Sequence, residues 1–305
     1  MLGTMSPTPA TTWHTPVMGR EVLRYLSPRP GALIVDGTVG TGGHSLMILP
    51  HLLPDGKLVV IDRDHEVLER AKARLVEFEP YVTFIHDDYR NLPAILKSLG
   101  TPCVDGVVLD LGMSSVQVDQ PERGFSFAKE GPLDMRMDRT RRTTAESLVN
   151  ERSLDELTQL FWTLGEERFA ARIAHRIIQE RRTQPIRTTT QLARMIIEAV
   201  PSSARRGRLH PATRTFQALR LAVNDELGAL ETFLGGLPEL LRPKGRAVIL
   251  TFHSLEDRLV KRAFMQGMRD DHWAVLTKHV VRPSQEEVSE NPRARSAKLR
   301  AMEHY

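Results

Sequence analysis

The feature that most constrains this chain is a repeated order: a short, wholly apolar run, then an acidic or glycine-rich turn, then an amphipathic stretch. Leu33-Ile34-Val35-Asp36 opens the series and enters a glycine-rich loop followed by a helical pattern over residues 44–53. Leu58-Val59-Val60-Ile61-Asp62 repeats it with a helix expected over 65–78. Val82-Thr83-Phe84-Ile85 precedes a short helix over 92–99, and Gly106-Val107-Val108-Leu109-Asp110 forms a fourth strand. Runs without polar alternation belong to strands covered on both faces. Strands alternating with helices indicate an α/β fold with a mostly parallel, Rossmann-like sheet.

The alternation stops near Gln117. Over 117–209 helical signals replace strand signals, at 154–164, 166–182 and 189–200, and one helix is expected over 213–234. Pro243-Lys244-Gly245 reads as a turn, Ala247-Val248-Ile249-Leu250-Thr251 as a strand, and 273–281 and 297–302 as the last two strands. The organisation expected is a discontinuous α/β domain, 13–116 and 210–305, interrupted by an all-helical domain at 117–209. Residues 1–12, rich in Thr, Pro and Ser, read as a disordered tail without the basic and apolar regions of a signal peptide. No apolar run approaches the ~20 residues of a membrane helix, so a soluble, cytoplasmic protein is expected. The single cysteine, Cys103, rules out an internal disulfide and a Cys-based zinc site. No other metal-ligand cluster stands out, so no metal is expected.

Charge is unevenly spread. The chain carries a net +4, yet residues 139–220 contain 16 arginines, no lysine and 8 acids, a net +8 that leaves −4 for the remainder. Arginine grips phosphate in a planar, bidentate way, so this composition fits either a polyanionic partner or a solvated helical surface. Arg168, Arg172 and Arg176 recur every four residues, offset from the apolar stripe Phe169, Ile173, Ile177. Arg205, Arg206 and Arg208 form a second cluster.

The segment Asp36-Gly-Thr-Val-Gly-Thr-Gly-Gly-His44 follows a strand and opens a helix. Its glycines permit tight turning and close ligand approach, and the helix N-terminus favours negative charge. Asp62, ending the second strand, is placed to accept from both hydroxyls of a ribose, in a dinucleotide or in S-adenosylmethionine. Asp36 leans toward the latter. In Asp87-Asp88-Tyr89 the ring either flanks an adenine or packs in the core. Asp110-Leu-Gly-Met-Ser114-Ser115 ends the fourth strand, over which open α/β sheets bind ligands. Acceptors there suit an amine that must be held in line with a methyl donor. His253, in Thr251-Phe-His-Ser254, either takes the amine proton or serves a structural role. His14 and His210 are weaker candidates, and Met135 and Met137 read as core filler.

Eight ordered segments then resemble one family. They are His14-Thr-Pro-Val17, the Asp36 loop through Ser45, Asp110 to Ser115, Glu122-Arg-Gly-Phe-Ser-Phe127, Gly131-Pro-Leu-Asp-Met-Arg-Met-Asp138, His210-Pro-Ala-Thr-Arg-Thr-Phe-Gln-Ala218, Phe252-His-Ser-Leu-Glu-Asp-Arg258 and Asn291-Pro-Arg-Ala-Arg-Ser296. Together they are similar to the bacterial ribosomal RNA small-subunit methyltransferase H family, also called MraW. The resemblance implies a class I S-adenosylmethionine-dependent methyltransferase with an inserted helical domain for RNA recognition. It implies N4-methylation of a cytidine in the decoding region of 16S rRNA, within the small ribosomal subunit, releasing S-adenosylhomocysteine. By position it implies cofactor contacts at Gly42, Gly43, His44, Asp62, Tyr89, Asp110 and Gln117. Tyr89 stands where the family often has Phe. Asp110 and Ser114 would orient the amine. Three rivals share some features: a nicotinamide dehydrogenase, an amine methyltransferase acting on DNA or another RNA, and a catalytically silent small-subunit assembly factor.

Overall fold

The computed structural model describes residues 15–205, 207 and 209–305. The tail expected at 1–12, and with it His14, Arg206 and Arg208, lies outside the described residues. The apolar runs form the strands β1 (Leu33–Asp36), β2 (Lys57–Asp62), β3 (Val82–His86) and β4 (Val104–Asp110). Later come β5 (Leu241–Thr251), β6 (Trp273–Val275) and β7 (Lys298–His304). They make one seven-stranded sheet of order β3-β2-β1-β4-β5-β7-β6. Only β7 runs antiparallel, against both β5 and β6. This is a mostly parallel, Rossmann-like sheet. The order reverses between β1 and β4, so their carboxyl ends flank a crevice where ligands bind in such sheets.

Helices α1 (Gly19–Leu26), α2 (Gly43–Leu52), α3 (His65–Arg74), α4 (Leu92–Ser98) and the short α5 (Ser115–Asp119) belong to the first half. The helix expected over 65–78 ends at Arg74 and is followed by a 3-10 segment, Val76–Tyr81, in which Pro80 bars a return to α-helical bonding. The strand expected over 273–281 is only three residues long, and Val281 rejoins the sheet edge as a lone bridge to Leu299. The expected Pro243–Gly245 turn is an irregularity within β5, with Lys244 at φ 66°.

Between β4 and β5 lie α6 (Ala145–Glu151), α7 (Leu154–Gly165), α8 (Ala170–Arg181), α9 (Thr189–Ala199), α10 (Thr213–Asn224) and α11 (Glu226–Leu240). The helical layer has its own apolar core, from Phe125 through Phe161, Ile173 and Ile196 to Phe216 and Val223. Its core thus includes α10, beyond residue 209, because Phe216, Leu219 and Val223 face into it. The single helix expected over 213–234 is two. Asp225 adopts φ 48°, ψ 48°, ending α10. Arg90 fixes that break by donating to the Asp225 carboxylate at 2.7 Å and carbonyl at 3.0 Å. Sequence periodicity alone does not register one left-handed residue held by a partner 135 positions away.

Helix α12 (Ser254–Arg269) follows β5. Its Ser254 and Arg258 side chains both donate to Glu166, at 2.5 and 2.8 Å, tying the helical layer to the sheet domain. Helix α13 (Gln285–Glu290) lies over the N-terminal segment through Met18 N–H to Glu287 Oε1, 2.6 Å.

Candidate active site

The ends of β1, β2 and β4 meet the start of α2 in a cleft of about 430 Å³, a size suited to a small ligand. Asp36 organises the loop: its carboxylate accepts from Thr38 N–H at 3.3 Å and Ser45 Oγ–H at 2.6 Å. Thr38 Oγ1 in turn accepts from Asp110 N–H at 2.6 Å, fastening the loop to β4. Gly42 sits at φ 80°, a conformation costly for any side chain, with Leu75 behind it. It shapes the turn without lining the cleft, whereas Gly43 and His44 line it. His44 is buried, its Nε2 is 2.9 Å from Val17 O, and its Nδ1 is 3.6 Å from Asp110 Oδ2. Burial pushes its imidazole pKa down.

Asp62 lines the same cleft, accepting from Gly40 N–H at 3.0 Å and Asp64 N–H at 2.9 Å. Each oxygen keeps a lone pair for a ribose hydroxyl. Burial pushes its pKa up to about 7. Tyr89 is buried edge-on against Phe233, centroids 5.8 Å apart, and also lines the cleft. Burial pushes its phenol up. Packing and ligand contact are therefore compatible at this ring.

Asp110 is the unusual member. Its side chain is 28% exposed, toward the cleft, yet Oδ1 is enclosed without a hydrogen-bond partner. Burial, with the negative charge of Glu256 beside it, pushes its pKa up to about 7. A carboxylate at a cleft wall with one oxygen enclosed and left without a donor is unusual and marks a functional candidate, and the exposed part of the group is what a ligand can meet.

Ser114 and Gln117 form a reciprocal capping box at the start of α5. Gln117 commits its amide to Ser114 N–H (3.0 Å) and to Asp64 (2.7 Å), so its action on a ligand runs through the loop it holds. Asp64 also caps α3 and takes Arg123 Nη2–H at 2.6 Å. Arg123, enclosed on every side, donates further to the carbonyls of Arg136 and Met137, which brings Met137 to the cleft wall.

The structure places His253 differently from the catalytic role considered for it. His253 is absent from the cleft lining and caps α12, its Nδ1 accepting from Glu256 N–H at 3.4 Å. Its Nε2 lies 3.1 Å from Glu256 Oε1, without aligned hydrogen-bond geometry. With both nitrogens facing Glu256, it has no lone pair turned to an amine in the cleft. Glu256 is a cleft residue that sequence reasoning missed. Burial works to raise it, but His253, Arg220 and Phe252 N–H together hold its pKa below the ordinary value. Arg220, also missed, lines the cleft from α10 and makes a two-pronged pair with Glu226 at 2.8 and 3.0 Å. Two signals pointed to these residues: the His253-x-x-Glu256 capping spacing and an arginine lodged in the apolar run Leu219-Arg220-Leu221.

The arginine-rich segment is partly consumed by the fold. Arg176 pairs with Glu180 and Glu198, and Arg205 donates to the carbonyls of Val200 and Glu198. Arg141, Arg181 and Arg214 donate to backbone carbonyls. Arg168 lies over the Phe169 ring at 4.6 Å and Arg172 is exposed on α8. None of Arg168, Arg172, Arg176 or Arg205 lines the cleft. His210 stacks on Phe127 at 4.6 Å, a packing role. Met135 and Met137 are buried in the helical core, as read from sequence.

The model of the "MraW methylase family" matches residues 11–305. A protein of Halothermothrix orenii named ribosomal RNA small subunit methyltransferase H is 47% identical to this chain, covering 95% of it and 98% of the relative. Relatives of the same name from Geobacter sulfurreducens and Symbiobacterium thermophilum are 48% and 46% identical, each covering 95% of this chain and 98% and 96% of their own length.

Proposed function

The chain belongs to the MraW methylase family, and from that premise we propose that it methylates the N4 amine of a cytidine in the decoding region of 16S rRNA, using S-adenosylmethionine. The observation that carries the chemistry is Asp110: a carboxylate partly exposed to the cleft and short of donors, at the carboxyl end of β4 beside the glycine loop.

The residues fit the cofactor. Asp62 has spare lone pairs for a ribose, Tyr89 offers a ring wall, and Gly43 lines the cleft without a side chain. His44 and Asp110 complete the near wall, while Gly42 and Gln117 shape it from behind. When bound, S-adenosylmethionine supplies an electrophilic methyl group. The chain's residues do the rest. The part of the Asp110 carboxylate exposed to the cleft accepts an N4–H of the cytosine, and Ser114 Oγ–H, free to donate while its oxygen caps α5, helps hold the base edge. This fixes the nitrogen lone pair at near-attack geometry. Transfer of that methyl to N4 would leave the bonding pair on the donor sulfur, with S-adenosylhomocysteine as by-product. The N4 proton passes to Asp110, whose pKa of about 7 suits a base at neutral pH. Asp110 thus replaces His253 as the proton acceptor. An amine paired or stacked in an RNA helix is out of reach, so in this reading the base swings out to enter the cleft.

Turnover should therefore rise with pH through about 7 and level off above it, since only ionised Asp110 can take the proton. A rate flat from pH 6 to 8 under saturating substrate, with chemistry rate-limiting, would exclude Asp110 as the base.

The helical layer serves as the RNA-recognition element, with Arg168 and Arg172 offering the charge that the fold has not neutralised. Two or more phosphate contacts predict about a tenfold or larger fall in kcat/KM between 50 and 200 mM salt. A flat response would remove the helical layer from that role. Among the described residues no helix is long and apolar enough to cross a membrane, and a ribosomal substrate makes the cytoplasm the expected compartment.

The deciding experiment is transfer of labelled methyl to small subunits that lack the modification, followed by nucleoside mass spectrometry. N4-methylcytidine is the expected product. Binding of subunit and cofactor without transfer would overturn the reading in favour of an assembly factor.

A further inference from the structure

We propose that Arg220 reads the N3 and O2 atoms of the target base and so selects cytosine; the inference rests on the cytidine reading above. Arg220 is buried, with only 8% of the residue exposed, and what is exposed lines the cleft. One edge of its guanidinium is taken: Nε donates to Glu226 Oε1 at 2.8 Å and Nη2 to Glu226 Oε2 at 3.0 Å. Glu226 itself is buried, so the pair locks the guanidinium plane. The opposite edge, formed by Nη1 and the second Nη2 hydrogen, has no hydrogen-bond acceptor among the described residues. Glu256 Oε1 is the nearest anion, 4.0 Å from Nη2, too far for a hydrogen bond.

A guanidinium has five donors and no acceptor. Placing one in a cleft wall with a whole edge unused calls for a planar partner with two adjacent acceptors. The cytosine ring edge supplies that pair at N3 and O2, with an amine next to them. Arg220, Glu256 and Asp110 line the same cleft, with Glu256 Oε1 4.0 Å from Arg220 Nη2. A base held by Arg220 at N3 and O2 therefore turns its N4 amine toward the Asp110 side. Uracil fails twice: its N3–H would face a donor, and its O4 would face a carboxylate. Hydrogen bonding at N3 also makes the N4–H more acidic, which favours the proton's passage to Asp110. A phosphate contact is the competing use of the same edge, and the experiment separates the two.

The test is a cycle between one side chain and one substrate atom. Single-turnover methyl transfer is measured on small subunits reconstituted with either cytidine or 3-deazacytidine at the modified position. Wild-type protein is compared with Arg220→Lys, and with the double variant Arg220→Gln, Glu226→Gln, which removes both buried charges together should the single change not fold. On replacing cytidine by 3-deazacytidine, the wild-type rate should fall by a factor about 10 to 100 times larger than the factor for either variant. The variants, already slow on cytidine, should slow little more when N3 is removed. Equal losses for all proteins would overturn the assignment of Arg220 to the base. Equal losses accompanied by a shallower salt dependence in the variants would assign the edge to a phosphate instead. No transfer by wild type to cytidine-bearing subunits would overturn the substrate, and this inference with it.

Discussion

Replacing Asp110 by Asn should lower single-turnover methyl transfer by about a thousandfold while raising the melting temperature of the free protein at pH 8. The two effects share a cause. Asp110 is held with one oxygen enclosed and unpartnered, next to Glu256, which pushes its pKa up to about 7 from an ordinary 3.8. A carboxyl whose pKa is raised in the folded state binds more protons folded than unfolded between pH 4 and 7. Stability then falls as pH rises through that window, and the full penalty applies above it. Asn keeps the shape and removes the charge, so at pH 8 the variant escapes the penalty, whereas at pH 4 the two proteins should melt alike. The same amide cannot take a proton from N4, so turnover is lost. Cofactor affinity, set mainly by Asp62 and the glycine loop, should change little. A variant that transfers methyl at wild-type rates, or that melts lower at pH 8, would contradict this account. Sites that trade stability for activity in this way are common in enzymes.

Arg123→Met should destabilise the fold by about 3–5 kcal/mol, the cost of leaving a buried charge without its partner. Arg123 is almost wholly enclosed, donates to Asp64 at 2.6 Å, and lies 3.5 Å from Glu66. Asp64 is equally enclosed. Its remaining partners are Val67 N–H and Gln117 Nε2–H, which do not neutralise it. Gln117 should lose its fixed position along with it, and Ser114 with Gln117, so cofactor binding should weaken in the protein that still folds. The double change Asp64→Asn, Arg123→Met should recover much of the stability, because it removes both charges. Thermal denaturation of the wild type and the two variants measures this. A loss below 1 kcal/mol in the single variant would show that the pair is not as dry as its burial indicates.

Much of the site was legible because strand ends can be read locally. Asp36, Asp62, Tyr89 and Asp110 each follow an apolar run, and a parallel sheet lines up the carboxyl ends of those runs. The glycine loop was legible for the same reason, since its spacing fixes a strand-to-helix turn. His253 shows where that reasoning stops. It does end a strand, as expected, but a strand end also begins a helix, and its imidazole is used as the cap of α12. The arginine-rich segment shows a second limit. Its charge was plain, but whether an arginine faces solvent or a carbonyl depends on neighbours far along the chain. Arg214 is held by Glu166 O, 48 positions away, and Arg141 by Asn224 O, 83 away.

The sequence by itself determined the class of fold, the cofactor loop and the acids that face it. Hydrophobic runs, glycines and helix periods act over a few residues, and their physics is complete within the segment. Tertiary structure alone decided which charges became machinery. Local signals mark Arg220 and Glu256 without assigning them a role, and Arg123 carries none; all three acquire their roles because packing removes water and leaves each with a partner from another element. Burial and pairing are properties of three-dimensional neighbours, and these neighbours lie on other elements of the fold.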